Sequence, residues 1–266
     1  MVRVCALGWL CHIKHIREEL EKAMRFPQLV RFFVMFSVFA GIPYCIAFAQ
    51  TTVPADSAAI STYRSGLKSI SVPQPAAGFI EIGSDYRVLF DRLTPDTNRL
   101  IAAFLTKDDA EVLKSGKFVK PSRYALVENL RQAEFAEFDA ATFQQTVPLV
   151  AQQLGTTMDA NKADMEAELN RKLKAMAGSN TTITLDKTLQ LGTFFTKTDA
   201  ACFGMITPLT ANGVTMKVAS AVTVLRVQNR LLYLMIYADF KDEESVQWVR
   251  KTSEDWTDAI LKANQQ

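Results

Sequence analysis

The stretch TMKVASAVTVLRVQNRLLYLMIYADFKDEESVQWVRKTSEDWTDAILKAN, residues 215–264, decides the fold. Leu231 to Ala238 is an unbroken apolar run. A strand with one wet face would alternate, so a continuous run of this length predicts a central strand covered on both faces. Eight residues are too few for a membrane helix, which needs about 20. The strand is expected over Leu231–Phe240. Its partner, Thr215–Leu225, places Val218, Val222 and Val224 on one face and Ala219, Ala221, Thr223 and Leu225 on the other. The small residues of the second face allow close packing. Val227-Gln228-Asn229-Arg230 joins the two strands, with Asn229 suited to a left-handed turn position.

A helix follows over Glu243–Lys262. Asp242 can cap its free amides, Glu243 and Glu244 sit at the positive end of its dipole, and Lys262 lies near the negative end. Val246, Val249, Trp256, Ile260 and Ala263, with Ser253, form one stripe that should lie on the sheet. The acids Asp239, Asp242, Glu243 and Glu244 lack the alternation and the glycine of a calcium loop, so they read as capping.

Working outward, the chain has 266 residues, 48% hydrophobic and 22% charged, which suits a globular core. Residues 1–49 hold six Lys/Arg and three Asp/Glu, and residues 50–266 hold 24 and 25. A body this close to neutral makes no electrostatic case for nucleic acid. Both histidines, His12 and His15, and three of the four cysteines, Cys5, Cys11 and Cys45, fall in the first 49 residues.

Residues 24–49 read as a signal peptide. Arg25 and Arg31 form a positive start, Phe32–Ala40 is apolar, Gly41 and Pro43 break it, and Ala47-Phe48-Ala49 precedes cleavage between Ala49 and Gln50. The alternative is an uncleaved anchor, the one route by which this sequence would meet a membrane. Residues 1–23 fit no part of a signal and read as a mis-assigned extension before a start at Met24. Residues 50–76, rich in Ser, Thr, Ala and Pro, read as a flexible lead, and 77–266 as a single α+β domain.

Within that domain, strands are expected at Phe79–Ile82, Leu100–Leu105 and Tyr124–Leu130, with a helix that Ser84 can cap running through Leu93 and another at Lys107–Ser115. Asp139 should cap a helix that kinks or breaks near Thr146, before Pro148, and ends at Gly155. A second helix should cover Ala160–Ala177. Strands at Thr181–Leu185, Thr188–Phe195 and Ala201–Thr207 lead to an Asn212-Gly213 hairpin. The expected architecture is a mixed, largely antiparallel sheet with helices packed on it, sandwich-like in the α/β/α sense.

The strand pair and closing helix of Thr215–Asn264 resemble the last part of the PsbP-like α/β/α sandwich, over less than a fifth of the chain. The whole is also similar to secreted bacterial α+β proteins. The resemblance implies binding or assembly rather than catalysis and fixes no residue.

Without the first 49 residues there is no imidazole for a Ser-His-Asp or Cys-His site, and a single cysteine cannot build a thiolate metal site. No cofactor motif is present, and no cofactor is expected. Three chemistries remain. Paired carboxylates could hydrolyse glycosides, with Glu81, Asp85, Asp91 and Asp96 as candidates or simply as solvated acids. Ser65-Gly66-Leu67-Lys68 has the S-x-x-K spacing of Ser–Lys enzymes, without their partner motifs. Cys202 could be a reactive thiol or a small buried hydrophobe. The reading is an exported cell-envelope domain that binds an envelope protein or small ligand, probed against the alternative of a histidine-free carboxylate hydrolase.

Overall fold

The computed structural model describes residues 60–115, 120–177 and 182–265. The extension over 1–23, the signal segment over 24–49 and the cleavage pair Ala49 and Gln50 lie outside the described residues. Strands β1 (Ser61–Ser65) and β2 (Lys68–Val72) form a two-stranded hairpin. Then come β3 (Phe79–Glu81), α1 (Ser84–Leu93), β4 (Asn98–Thr106), α2 (Lys107–Lys114) and β5 (Arg123–Leu130). A 3-10 turn at Arg131–Ala133 leads to α3 (Ala140–Ala177), and β6 (Ile183–Leu185), β7 (Leu189–Lys197) and β8 (Ala200–Ala211) follow. The chain closes with β9 (Val214–Val227), β10 (Arg230–Asp239) and α4 (Glu243–Ala263).

Eight strands form one sheet in the order β3-β4-β5-β10-β9-β8-β6, with β7 also paired to β8. All pairings among the described residues are antiparallel, so the largely antiparallel sheet carries no parallel member there. The apolar run lies between β5 and β9, and each of its residues from Leu231 to Ala238 is buried. Leu232, Leu234 and Ile236 face one core with Val249, Trp256 and Ile260 of α4. Leu231, Tyr233, Met235 and Tyr237 face the other, with Phe90 of α1 and Phe143, Leu169 and Leu173 of α3. The molecule is therefore a three-layer sandwich.

The turn Gln228-Asn229 has both residues at positive φ, 49° and 61°, as a type I′ hairpin requires. Asn212-Gly213 behaves likewise, at 51° and 80°. The small face of β9 is where α4 lies. Ser253 of that helix reaches the Thr223 hydroxyl at 2.8 Å, a contact a larger strand residue would block. On β8, a Cβ at Gly204 would fall 1.9 Å from Phe194 Cζ, so the ring fills the place of the missing side chain.

Three expectations need correction. The flexible lead is folded from Ser61 onward, because Ile70 and Val72 are buried against the α4 core. Asn264 also grips the β2 backbone: Ser71 N–H donates to its Oδ1 (2.9 Å), and its Nδ2 donates to the Ser71 carbonyl (2.8 Å). Trp256 Nε1 adds a bond to the Pro73 carbonyl at 2.7 Å. Second, α3 does not break before Pro148 or end at Gly155 but runs 38 residues. Pro148 and Gln144 are both exposed, so the carbonyl that the proline cannot bond faces water, and the usual cost of an interior proline is reduced. Third, Ser84 is the first residue of α1 rather than its cap, which is Gly83 without a side-chain bond. Asp139 and Asp242 do cap, accepting from Thr142 N (2.7 Å) and Ser245 N (3.2 Å).

Candidate functional site

The S-x-x-K pair ends up across the hairpin turn, where Ser65 is the strand partner of Lys68. Ser65 is buried, and its hydroxyl accepts from Asn129 Nδ2 at 3.3 Å, whereas Lys68 is exposed. The serine serves as an anchor for the turn. Cys202 is a buried free thiol 3.5 Å from the Ser253 hydroxyl. Burial pushes it up to about 11, far from the thiolate a nucleophile needs.

Three of the four candidate acids are dispersed among separate partners. Glu81 accepts from the Ser61 hydroxyl at 2.6 Å, Asp91 pairs with Arg87 one turn earlier at 3.8 Å, and Asp96 pairs with Lys172 at 2.8 Å. The side chain of Asp85 lies outside the described residues. No group of three or more His, Cys, Asp or Glu among the described residues could hold a metal ion. No helix among them is long and apolar enough to cross a membrane.

Two other places stand out. The first is the end of the molecule where the β1–β2 turn meets the loop after β5. Leu67 is 74% exposed and Phe135 66% exposed. They are brought together because Gly66, at φ +57°, packs its backbone on this loop. A Cβ there would lie 2.7 Å from the Glu134 carbonyl oxygen and 3.3 Å from the Phe135 ring. Two arginines, Arg230 buried and Arg99 half-buried, fix the backbone beneath. Arg230 donates through Nη1 to the carbonyls of Phe135 (2.5 Å) and Ala136 (2.8 Å). Arg99 bridges the Arg64 carbonyl (2.5 Å) and the Glu134 carboxylate (2.6 Å), tying hairpin to loop. Phe138 N–H bonds the Asn229 carbonyl at 2.9 Å, and Arg131 N–H the Thr97 carbonyl at 2.9 Å. The result is an apolar tip on a backbone that has little freedom left to lose when something binds.

The second place is Glu128, on β5, which is 0% exposed. Its strand partners are Leu100 and Tyr233. Asn98 Nδ2 donates to its Oε2 at 3.0 Å, while Oε1 has no hydrogen-bond partner. Burial raises it to about 8, against opposing effects from the Asn98 bond and the Lys172 charge. Neither place was singled out in the sequence. The signal for Glu128 was there, a charged residue inside Tyr124–Leu130, an otherwise apolar strand. Nothing in local periodicity marks Leu67 and Phe135, which are brought together only by the fold.

No family model matches the chain, and no curated protein matches it either. Among solved structures it is similar to the cyanobacterial PsbP protein CyanoP from Synechocystis sp. PCC 6803. Identity is 8% and the TM-score is 0.27, over 80% of this chain and 96% of that one. This is the family the closing elements resemble.

Proposed function

We propose that the chain is an exported cell-envelope domain that binds, or helps assemble, an envelope protein through the apolar tip at Leu67 and Phe135. The observation that carries this reading is the construction of the tip. Exposed apolar residues scattered singly are ordinary, but two large ones on two turns packed and buttressed together form a preorganised contact. Arg230, buried to 3%, donates to the backbone directly under Phe135 and leaves the ring outside. A binding role also accords with the separate, structural engagement of Ser65, Cys202, Glu81, Asp91 and Asp96. Export is supported by the run from Arg25 to Ala49.

Two experiments test it. N-terminal sequencing of the protein from the envelope fraction is expected to start at Gln50, and an intact Met1 or Met24 would remove the cleaved signal. A photo-crosslinking residue placed at position 67 or 135 should give one discrete adduct in living cells, and the same residue at the distant exposed Leu189 should not. Equal labelling at all three positions would overturn the assignment of the tip.

A further inference from the structure

Helix α3 is tied to the loop between α1 and β4 through a buried ammonium group, Lys172, with Glu168 and Arg171 beside it. Lys172 Nζ donates to the Thr94 carbonyl at 2.5 Å and pairs with Asp96 at 2.8 Å and Glu168 at 3.5 Å. Asp96 N–H reaches Glu168 Oε1 at 3.3 Å, and Arg171 reaches Asp96 at 3.2 Å. Asn98, at the end of that loop, accepts from the Thr97 hydroxyl at 2.9 Å and donates to Glu128. The loop is therefore held from above by α3 and from below by the buried carboxyl.

We propose that the Thr94–Asn98 loop and α3 form a proton-controlled latch over Glu128, closed while the carboxyl is neutral and loosened when it ionises. A neutral carboxyl needs little from its surroundings. An ion in the same place has one amide bond, no solvent and an oxygen with no donor, and such a charge is expensive unless paired. The cation whose charge favours ionisation of Glu128 is Lys172, but its ammonium is occupied by Thr94 and Asp96. Ionised Glu128 competes for that group, and satisfying it takes Lys172 off the loop.

The other groups around Glu128 do not relieve it. From α1, Asp91 disfavours a second negative charge, and Arg87 is engaged with the Leu100 carbonyl (2.8 Å) and Asp91. From α3, Glu168 is itself acidic and already shares Lys172. From the sheet come Tyr124, Tyr233 and Tyr237, neutral phenols whose own ionisation burial opposes. The latch thus sets three carboxyls, Glu128, Asp96 and Glu168, in competition for the buried Lys172 ammonium.

The test is an NMR titration of the full chain, with the side-chain carboxyl carbons of Glu labelled and Glu128 assigned through bonds in the unaltered protein. The Glu128 carbon should titrate near pH 8, and the amide signals of Thr94, Asp96, Thr97, Asn98 and Lys172 should move with the same midpoint. In Glu128→Gln those amide movements should vanish. In Lys172→Met the midpoint should rise and the loop should cease to follow it. Titration of Glu128 alongside the exposed glutamates, or a loop that stays still while Glu128 ionises, would overturn the latch. The unaltered protein alone decides between these outcomes, whether or not a variant folds.

Discussion

At the scale of the residue, Glu128 makes the sharpest claim. Its folded value, raised by burial from 4.5 to about 8, means the folded chain holds a proton that the unfolded chain releases. Stability from this group is fully present below about pH 4.5, falls as pH rises toward 8, and is flat above that. The slope is at most about 1.4 kcal/mol per pH unit. Glu128→Gln keeps an acceptor for Asn98 and has no charge to bury. It should flatten urea-unfolding stability between pH 5 and 8 and be more stable than the parent at pH 8 by a few kcal/mol. A variant with the parent's slope would show that the pH dependence comes from elsewhere. The acid could have been noticed in the sequence, since Glu128-Asn129 interrupts an apolar strand. Its burial and its missing donor could not, because they depend on Asn98, thirty residues away, and on α3.

At the scale of the element, the sequence was most legible where one local rule governed. The run Leu231–Ala238 gave a strand covered on both faces, and the stripe from Val246 to Ile260 gave the helix that covers one of them. Packing overrode local rules elsewhere. Pro148 and Gly155 read as breaks, yet α3 continues through both, because the proline lies on the wet side of the helix. Prolines and serines made residues 50–76 look loose, yet β1 and β2 find partners in distant residues such as Asn264 and Trp256. Two predictions belong here. Trp256→Ala should couple with Leu234→Ala, on its own face, by about 0.5–3 kcal/mol in a double-mutant cycle, and be additive with Met235→Ala. Coupling to both would mean that the sheet transmits strain across its faces. Asn264→Ala should cost about 1–3 kcal/mol and speed protease cleavage within 61–72, since the amide satisfies both backbone groups of Ser71. Unchanged cleavage would mean that the hairpin is held by its other contacts, such as Ile70, Val72 and the Trp256–Pro73 bond.

At the scale of the whole molecule, three layers leave the chain with two covered sheet faces and one apolar end. The α/β/α arrangement was legible, because doubly buried strands require helices on both sides. The tip was not, since Leu67 and Phe135 belong to turns and meet only through Gly66, Arg99 and Arg230. Its importance is the central claim, and one comparison tests it most directly. Leu67→Ser/Phe135→Ser and a control, Leu189→Ser/Val214→Ser, each replace two exposed apolar residues, so each should change stability by only about 0.5 kcal/mol per site. The size of the assembly containing each protein is then measured by native electrophoresis of solubilised envelopes. The tip variant is expected to fall to the size of the free chain while the control migrates with the parent; identical migration of the two variants would contradict the account.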